Sequence, residues 1–164
     1  MGVAADSAAA SREQFMRVAL EMAERGMASG GPPVGACLVF AGAAVAKSHN
    51  AVIGDLDVTA HAEIVAIREA CRALRRLSLA DCSLYVTVQP CPMCLAACYY
   101  AGITDIVFGA SLDAMQAITH GELCVSPAEL FAGRTQQPMI TGGVLAEECQ
   151  ALLASWSATY RGGN

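Results

Sequence analysis

The chain has 164 residues, enough for one domain with a self-sufficient core, and a second domain is not expected. Hydrophobic residues make up 55% and charged residues 15%, so little charge is available to solvate a monomer surface, and an oligomer that buries apolar faces is expected. The net charge of −5 weighs against a polyanionic partner such as nucleic acid unless a local basic patch exists.

The first ten residues, MGVAADSAAA, carry an acidic residue and no basic segment ahead of an apolar run, so no signal peptide is expected. Gly2 suggests myristoylation, but Asp6 stands where that motif needs Ser or Thr. We read residues 1–10 as a flexible tail, 11–160 as the single domain and 161–164 as a second short tail. Within the domain, Ser11 and Gln14 form a capping-box pattern, and Phe15, Val18, Ala19 and Met22 recur at helical spacing up to Gly26. After the turn Gly30-Gly31-Pro32-Pro33, the segments Val34–Phe40 and Ala43–Ser48 flank Ala41-Gly42 as a β-hairpin. Asn50 to Thr59 reads as a loop.

Thr59 is a suitable cap for a second helix that buries Ile64, Ile67, Ala70, Cys71 and Leu74 and ends in Arg72, Arg75 and Arg76. That basic turn is read as a solvated helix end rather than a phosphate site. Ser83–Val88 follows as a continuous apolar strand, Cys91–Ala101 as a third helix and Asp105–Gly109 as another strand. Ser126-Pro127-Ala128-Glu129 opens a short fourth helix, Pro138–Gly143 is a last strand, and Ala146 to about Tyr160 is the final helix. The order of these elements predicts a three-layer α/β/α domain with a mixed sheet. The longest uncharged run, Cys82–Thr104, is broken by Pro90 and Pro92, so no membrane span is expected and the default location is the cytoplasm. Cys37, Cys71, Cys82, Cys98, Cys124 and Cys149 sit in apolar stretches and are expected to be reduced and buried.

Two short motifs carry the chemistry: His61-Ala62-Glu63, and Pro90-Cys91-Pro92-Met93-Cys94 about thirty residues downstream. Cys91 and Cys94 share one face of a helical turn, and a helix start favours the thiolate that binds a metal. His61 adds a nitrogen ligand, giving three; zinc sites with three protein ligands are catalytic, whereas structural sites use four. Glu63 then stands by as a proton carrier, accepting a proton from water, delivering it to a ring nitrogen and then protonating the departing amino group as the hydroxyl of the tetrahedral centre collapses, which is hydrolytic deamination of a cyclic amidine. The alternative is a structural zinc site completed by His49 or His120, or a zinc module that only binds a partner.

H-x-E with P-C-x-x-C is the signature of the zinc deaminases. The segments Asp57–Cys71, Leu79–Tyr85 and Pro90–Leu95 closely resemble the bacterial guanine deaminases of the cytidine deaminase superfamily, and Gly30–Ala36 looks as much like yeast-type cytosine deaminases and tRNA adenosine deaminases. The resemblance runs from about Arg12 to Trp156. It implies a five-stranded mixed sheet between helices, a homodimer, a Zn2+ cofactor, a substrate-ring hydrogen bond from Asn50 and a backbone contact to the base from Ala62. Read from residues alone, Asn50 is equally a turn residue at a strand end.

The chain departs from the family at Gln89, where Glu usually precedes the Pro-Cys; the position is expected to face away from the metal. Guanine deaminases carry an extra substrate-engaging carboxylate in the region corresponding to the loop Asp113–Cys124, and Glu122 is assigned that role, with His120 the other candidate. By the same resemblance the C-terminal tail closes over a pocket, with Tyr160 the lid candidate and Trp156 a core residue. The expected reaction is deamination of a small free base of guanine type, with isocytosine, cytosine or an aminotriazine as alternatives. A tRNA adenosine deaminase is the competing reading, disfavoured by the negative charge and by the lack of Lys or Arg in the C-terminal helix.

Overall fold

The computed structural model describes residues 2–160, with side chains described from Ala10 onward. In chain order the elements are α1 (Gly2–Ala28), β1 (Gly35–Phe40), β2 (Ala43–His49), α2 (Val52–Asp55), α3 (Ala62–Leu74), β3 (Cys82–Val88), α4 (Pro92–Ala101), β4 (Asp105–Ala110), α5 (Leu112–Thr119), α6 (Pro127–Leu130), β5 (Met139–Thr141) and α7 (Ala146–Ser157). Five strands form one mixed sheet in the order β2-β1-β3-β4-β5. β1 is antiparallel to both β2 and β3, while β3, β4 and β5 run parallel. Helices cover the sheet, α1 and α7 in contact with each other and α3 in contact with α4. This is the α/β sandwich that the element order predicts.

Helix α1 starts at Gly2, so Ser11 and Gln14 lie inside it and do not cap it. Alanine, the strongest helix former, fills the preceding residues and carries the helix past the capping-box pattern. The segment read as an N-terminal tail therefore falls within the helix from Gly2, and the tail at 161–164 lies outside the described residues. Phe15, Met16, Ala19 and Ala23 form the buried face of α1. That face rests on the sheet so closely that a Cβ at Gly35 would collide with the backbone at Ala19 and Ala23.

The hairpin between β1 and β2 turns at Ala41 (φ 50°) and Gly42 (φ 76°), with Phe40 opposite Ala43. Two consecutive positive φ values match the right-handed twist of a two-residue hairpin. β3 is buried along nearly its whole length, as a central strand covered on both faces should be. Two short-range signals went elsewhere than expected. The loop 50–59 contains the one-turn helix α2, and the region 113–124 is helical up to Thr119.

Cys37, Cys82, Cys98 and Cys149 are buried free thiols, as expected; Cys71 is half-buried, and Cys124 is exposed because α5 ends before it and the chain runs over the surface. Among the described residues, no helix is long and apolar enough to cross a membrane.

Candidate active site

Two helix starts face each other beyond the carboxyl end of β3, the end at which open α/β sheets place their sites. His61 is the N-cap residue of α3 (φ −64°, ψ 152°) and Cys91 the N-cap residue of α4 (φ −68°, ψ 168°), with Pro92 at the first helical position. Neither side chain caps its own helix, so both are available to point outward. Thr59, the expected cap of α3, is used differently. Its N–H and hydroxyl both donate to Asp57 Oδ1, at 2.8 and 2.7 Å, and Arg68 donates to its Oγ1 at 3.0 Å. This turn delays the helix by two residues and leaves His61 as the cap. The Ser48 hydroxyl donates to the Ala62 carbonyl at 2.7 Å and ties the start of α3 to β2.

The three ligand atoms form a near-equilateral triangle: Cys91 Sγ to His61 Nδ1 is 3.6 Å, Cys94 Sγ to His61 Nδ1 is 3.5 Å, and the sulfurs are 3.7 Å apart. A tetrahedron with Zn–S bonds of about 2.3 Å and a Zn–N bond of about 2.0–2.1 Å has S–S edges of about 3.8 Å and S–N edges of about 3.6 Å. The residues therefore fit zinc as they stand. His61, Cys91 and Cys94 are the metal-competent group among the described residues. His49 Nδ1 instead lies 3.0 Å from the Asn50 carbonyl, and His120 is an exposed left-handed residue at the end of α5, so neither completes a four-ligand site.

The electrostatics suit a cation. Contact with Cys94 and with His61 draws the Cys91 thiol down to about 4. The same sulfur–sulfur contact and burial push Cys94 up, so a positive ion is needed before both are thiolates. Cys91 and the nearby carboxylates of Glu63 and Glu122 raise His61. Glu63, in the first turn of α3, is 3% exposed, and its Oε2 is buried with no hydrogen-bond partner among the described residues. Burial raises its carboxyl to about 7. A carboxyl poised near neutrality beside an incomplete ligand set is what a proton carrier requires.

These groups open into a cavity of about 560 Å³, within the range of small-molecule sites. Asn50, Glu122 and Tyr160 line it together with His61, Glu63 and Cys91. Asn50 Oδ1 accepts the Val52 N–H at 3.1 Å in a local turn, which is the turn-residue reading of the sequence, and Asn50 also lines the cavity. Ala62 is fully buried and not among the lining residues, while its N–H belongs to the first helical turn, where such groups lack intrahelical acceptors. Trp156 and Tyr160 pack with ring centroids 4.5 Å apart, and both line the cavity. Trp156 is thus a core residue with one edge in the site.

Sequence reasoning missed one wall. Leu112 and Met115 of α5 line the cavity, and Ser111 caps that helix by accepting the Ala114 N–H; the serine followed by Leu112 and Met115 at helical spacing was the available signal. Gln89 also lines the cavity, contrary to expectation. Its Oε1 accepts the Leu112 N–H at 3.4 Å, so it links the metal loop to α5.

Residues 9–110 match the family model of the cytidine and deoxycytidylate deaminase zinc-binding region. The chain is 35% identical to the tRNA-specific adenosine deaminase of Bacillus subtilis over 149 residues, 91% of this chain and 90% of that enzyme. It is 42% identical to the guanine deaminase of the same organism over 109 residues, 65% of this chain and 70% of that enzyme. The guanine deaminase of Nitrosomonas europaea superposes with a TM-score of 0.79 at 28% identity, covering 89% of this chain and 84% of that one. The chain belongs to the cytidine and deoxycytidylate deaminase family of zinc-dependent hydrolytic deaminases. Relatives that act on tRNA remove the exclusion of nucleic acid drawn from net charge.

Proposed function

We propose that the chain deaminates a small free base of guanine type, a ring in which the amino-bearing carbon lies between two nitrogens beside a carbonyl. The observation that carries this reading is the wall of the cavity: among the described residues it contains no Lys or Arg, while two carboxylates, Glu63 and Glu122, face into it. The wall offers a phosphate no cationic partner, and a flat neutral base gains stacking from Trp156 and Tyr160 and N–H acceptors at its edge.

In this reading zinc, when bound, supplies hydroxide from water at neutral pH. Glu63 accepts the water proton and hands it to a ring nitrogen; it then takes the hydroxyl proton of the tetrahedral carbon and passes it to the amino group as the C–N bond breaks and ammonia leaves. The carboxyl of Glu63, raised to about 7, is matched to both directions of transfer. Asn50, its Oδ1 held by Val52, presents its NH2 to a ring acceptor, Ala62 offers its N–H, and Glu122 accepts from a ring N–H. The same reading has a cytoplasmic homodimer, supported by the exposed apolar side chains Tyr100 and Leu77 on a chain poor in charge.

The second reading is a tRNA adenosine deaminase, favoured by 35% identity to an enzyme of that name across 91% of the chain. Ammonia release from guanine, isocytosine, cytosine, adenine and an aminotriazine, run beside inosine formation in tRNA, separates the two. Turnover of a base with no inosine in tRNA supports the free-base reading; inosine with every base inert overturns it.

A further inference from the structure

Helix α5 is tied at both ends to the site, and the ties at its far end meet on Glu122. At its start, Leu112 donates its N–H to Gln89, two residues before the ligand Cys91. At its end, Gln116 Oε1 accepts the Glu122 backbone N–H at 2.6 Å and the Thr119 hydroxyl reaches Glu122 Oε1 at 3.0 Å. Thr119 Oγ1 also accepts the Gly121 N–H at 3.4 Å and lies 3.3 Å from the Met115 carbonyl. One hydroxyl carries one proton, and a carboxylate is the stronger acceptor, so the proton goes to Glu122. The result is an oriented relay from Gly121 N–H through Thr119 O–H to Glu122, with the second carboxylate oxygen left for a ligand. His120, held left-handed (φ 55°), makes the bend that folds the chain back onto Gln116 and Thr119.

We infer that Thr119 and Gln116 are positioning residues: together they fix the Glu122 carboxylate at the cavity so that it reads an N–H donor on the ring of a free base. The inference rests on the free-base reading and adds what sets its specificity. A carboxylate on a surface loop is mobile and solvated; one whose backbone N–H and whose oxygen are both anchored to a helix has already lost that freedom before the ligand arrives. An N–H donor is the feature that a free base has and an N-substituted base lacks at the same atom, so the clasp selects against substitution there.

The test uses the sole tryptophan of the chain, Trp156, which lines the cavity. Its fluorescence reports guanine binding to the full-length zinc-loaded protein carrying Glu63→Gln, a variant expected to bind the ligand without turning it over. Adding Glu122→Gln is expected to weaken guanine roughly tenfold or more, and Thr119→Val or Gln116→Ala by about fivefold, while Thr119→Ser stays within about twofold. Thr119→Val added to Glu122→Gln is expected to have no further effect, because the pair acts as one unit. Thermal unfolding and zinc content of each variant separate positioning from simple destabilisation. Failure of guanine to bind, or insensitivity to Glu122→Gln, overturns the free-base reading of this wall. Sensitivity to Glu122→Gln with none to Thr119→Val and Gln116→Ala, or additive losses in the double variant, overturns the positioning inference alone.

Discussion

Cys91 Sγ lies 3.6 Å from His61 Nδ1, and each residue is the N-cap of a different helix. Two helix starts, on α3 and α4, thus present one ligand each from backbone positions that are extended rather than helical. The metal site is built into the way these helices begin, and its geometry depends on packing between α3, α4 and the sheet.

Removing a ligand should abolish metal binding without dissolving the fold. The ligands join only the tips of α3 and α4, while the core runs through β1, β3, β4 and α1. His61→Ala and Cys91→Ala are expected to lose zinc and turnover and to keep native circular dichroism. Chelation of the wild type should do the same reversibly. Loss of secondary structure on chelation would mark the site as structural.

The buried carboxyl predicts a pH dependence of the metal-free protein. In the folded chain Glu63 holds its proton up to about 7, against an ordinary carboxyl value of 4.5. The folded state therefore binds the proton more tightly; the stabilisation is complete below about 4.5 and is lost as pH rises through 7. Relative to Glu63→Gln, the metal-free wild type should lose on the order of 3 kcal/mol between pH 4.5 and pH 8 in denaturant unfolding. A difference that shrinks or reverses over that interval contradicts the burial of this group.

Close packing of α1 on β1 predicts a penalty at Gly35. A methyl group there meets the backbone of α1 at Ala19 and Ala23, which cannot yield as a side chain end can. Gly35→Ala should cost about 2 kcal/mol or more in unfolding free energy. A neutral effect would mean that α1 does not pack where described.

The aromatic pair predicts a change in affinity rather than in chemistry. Tyr160→Ala removes a ring packed 4.5 Å from Trp156 at the cavity wall and leaves the metal ligands alone. KM should rise by about two- to tenfold with zinc content unchanged. An equal fall in kcat at constant KM would place Tyr160 in the chemical step instead.

The metal site was legible because its residues fall in two short motifs, each read from local signals as the start of a helix. His61, Glu63, Cys91 and Cys94 needed no long-range information beyond the meeting of two tips. The hairpin at Ala41-Gly42 and the buried strand β3 were legible for the same local reason. What escaped depended on competition between partners. Thr59 looked like a cap, but Asp57 two residues earlier takes both its donors, and the helix starts at His61 instead. Gln89 appeared to face away because its role is set by α5, twenty-three positions on, through the Leu112 N–H. Glu122 was placed by resemblance, and its fixing by Thr119 and Gln116 became visible only in the folded chain.

Glu63→Gln separates the two parts of a three-ligand zinc site in which Glu63 moves the protons. Glutamine keeps the volume and cannot carry a proton. The variant should retain about one equivalent of zinc and lose ammonia release from the substrate by about 10³-fold or more. Turnover that survives with zinc in place would contradict it.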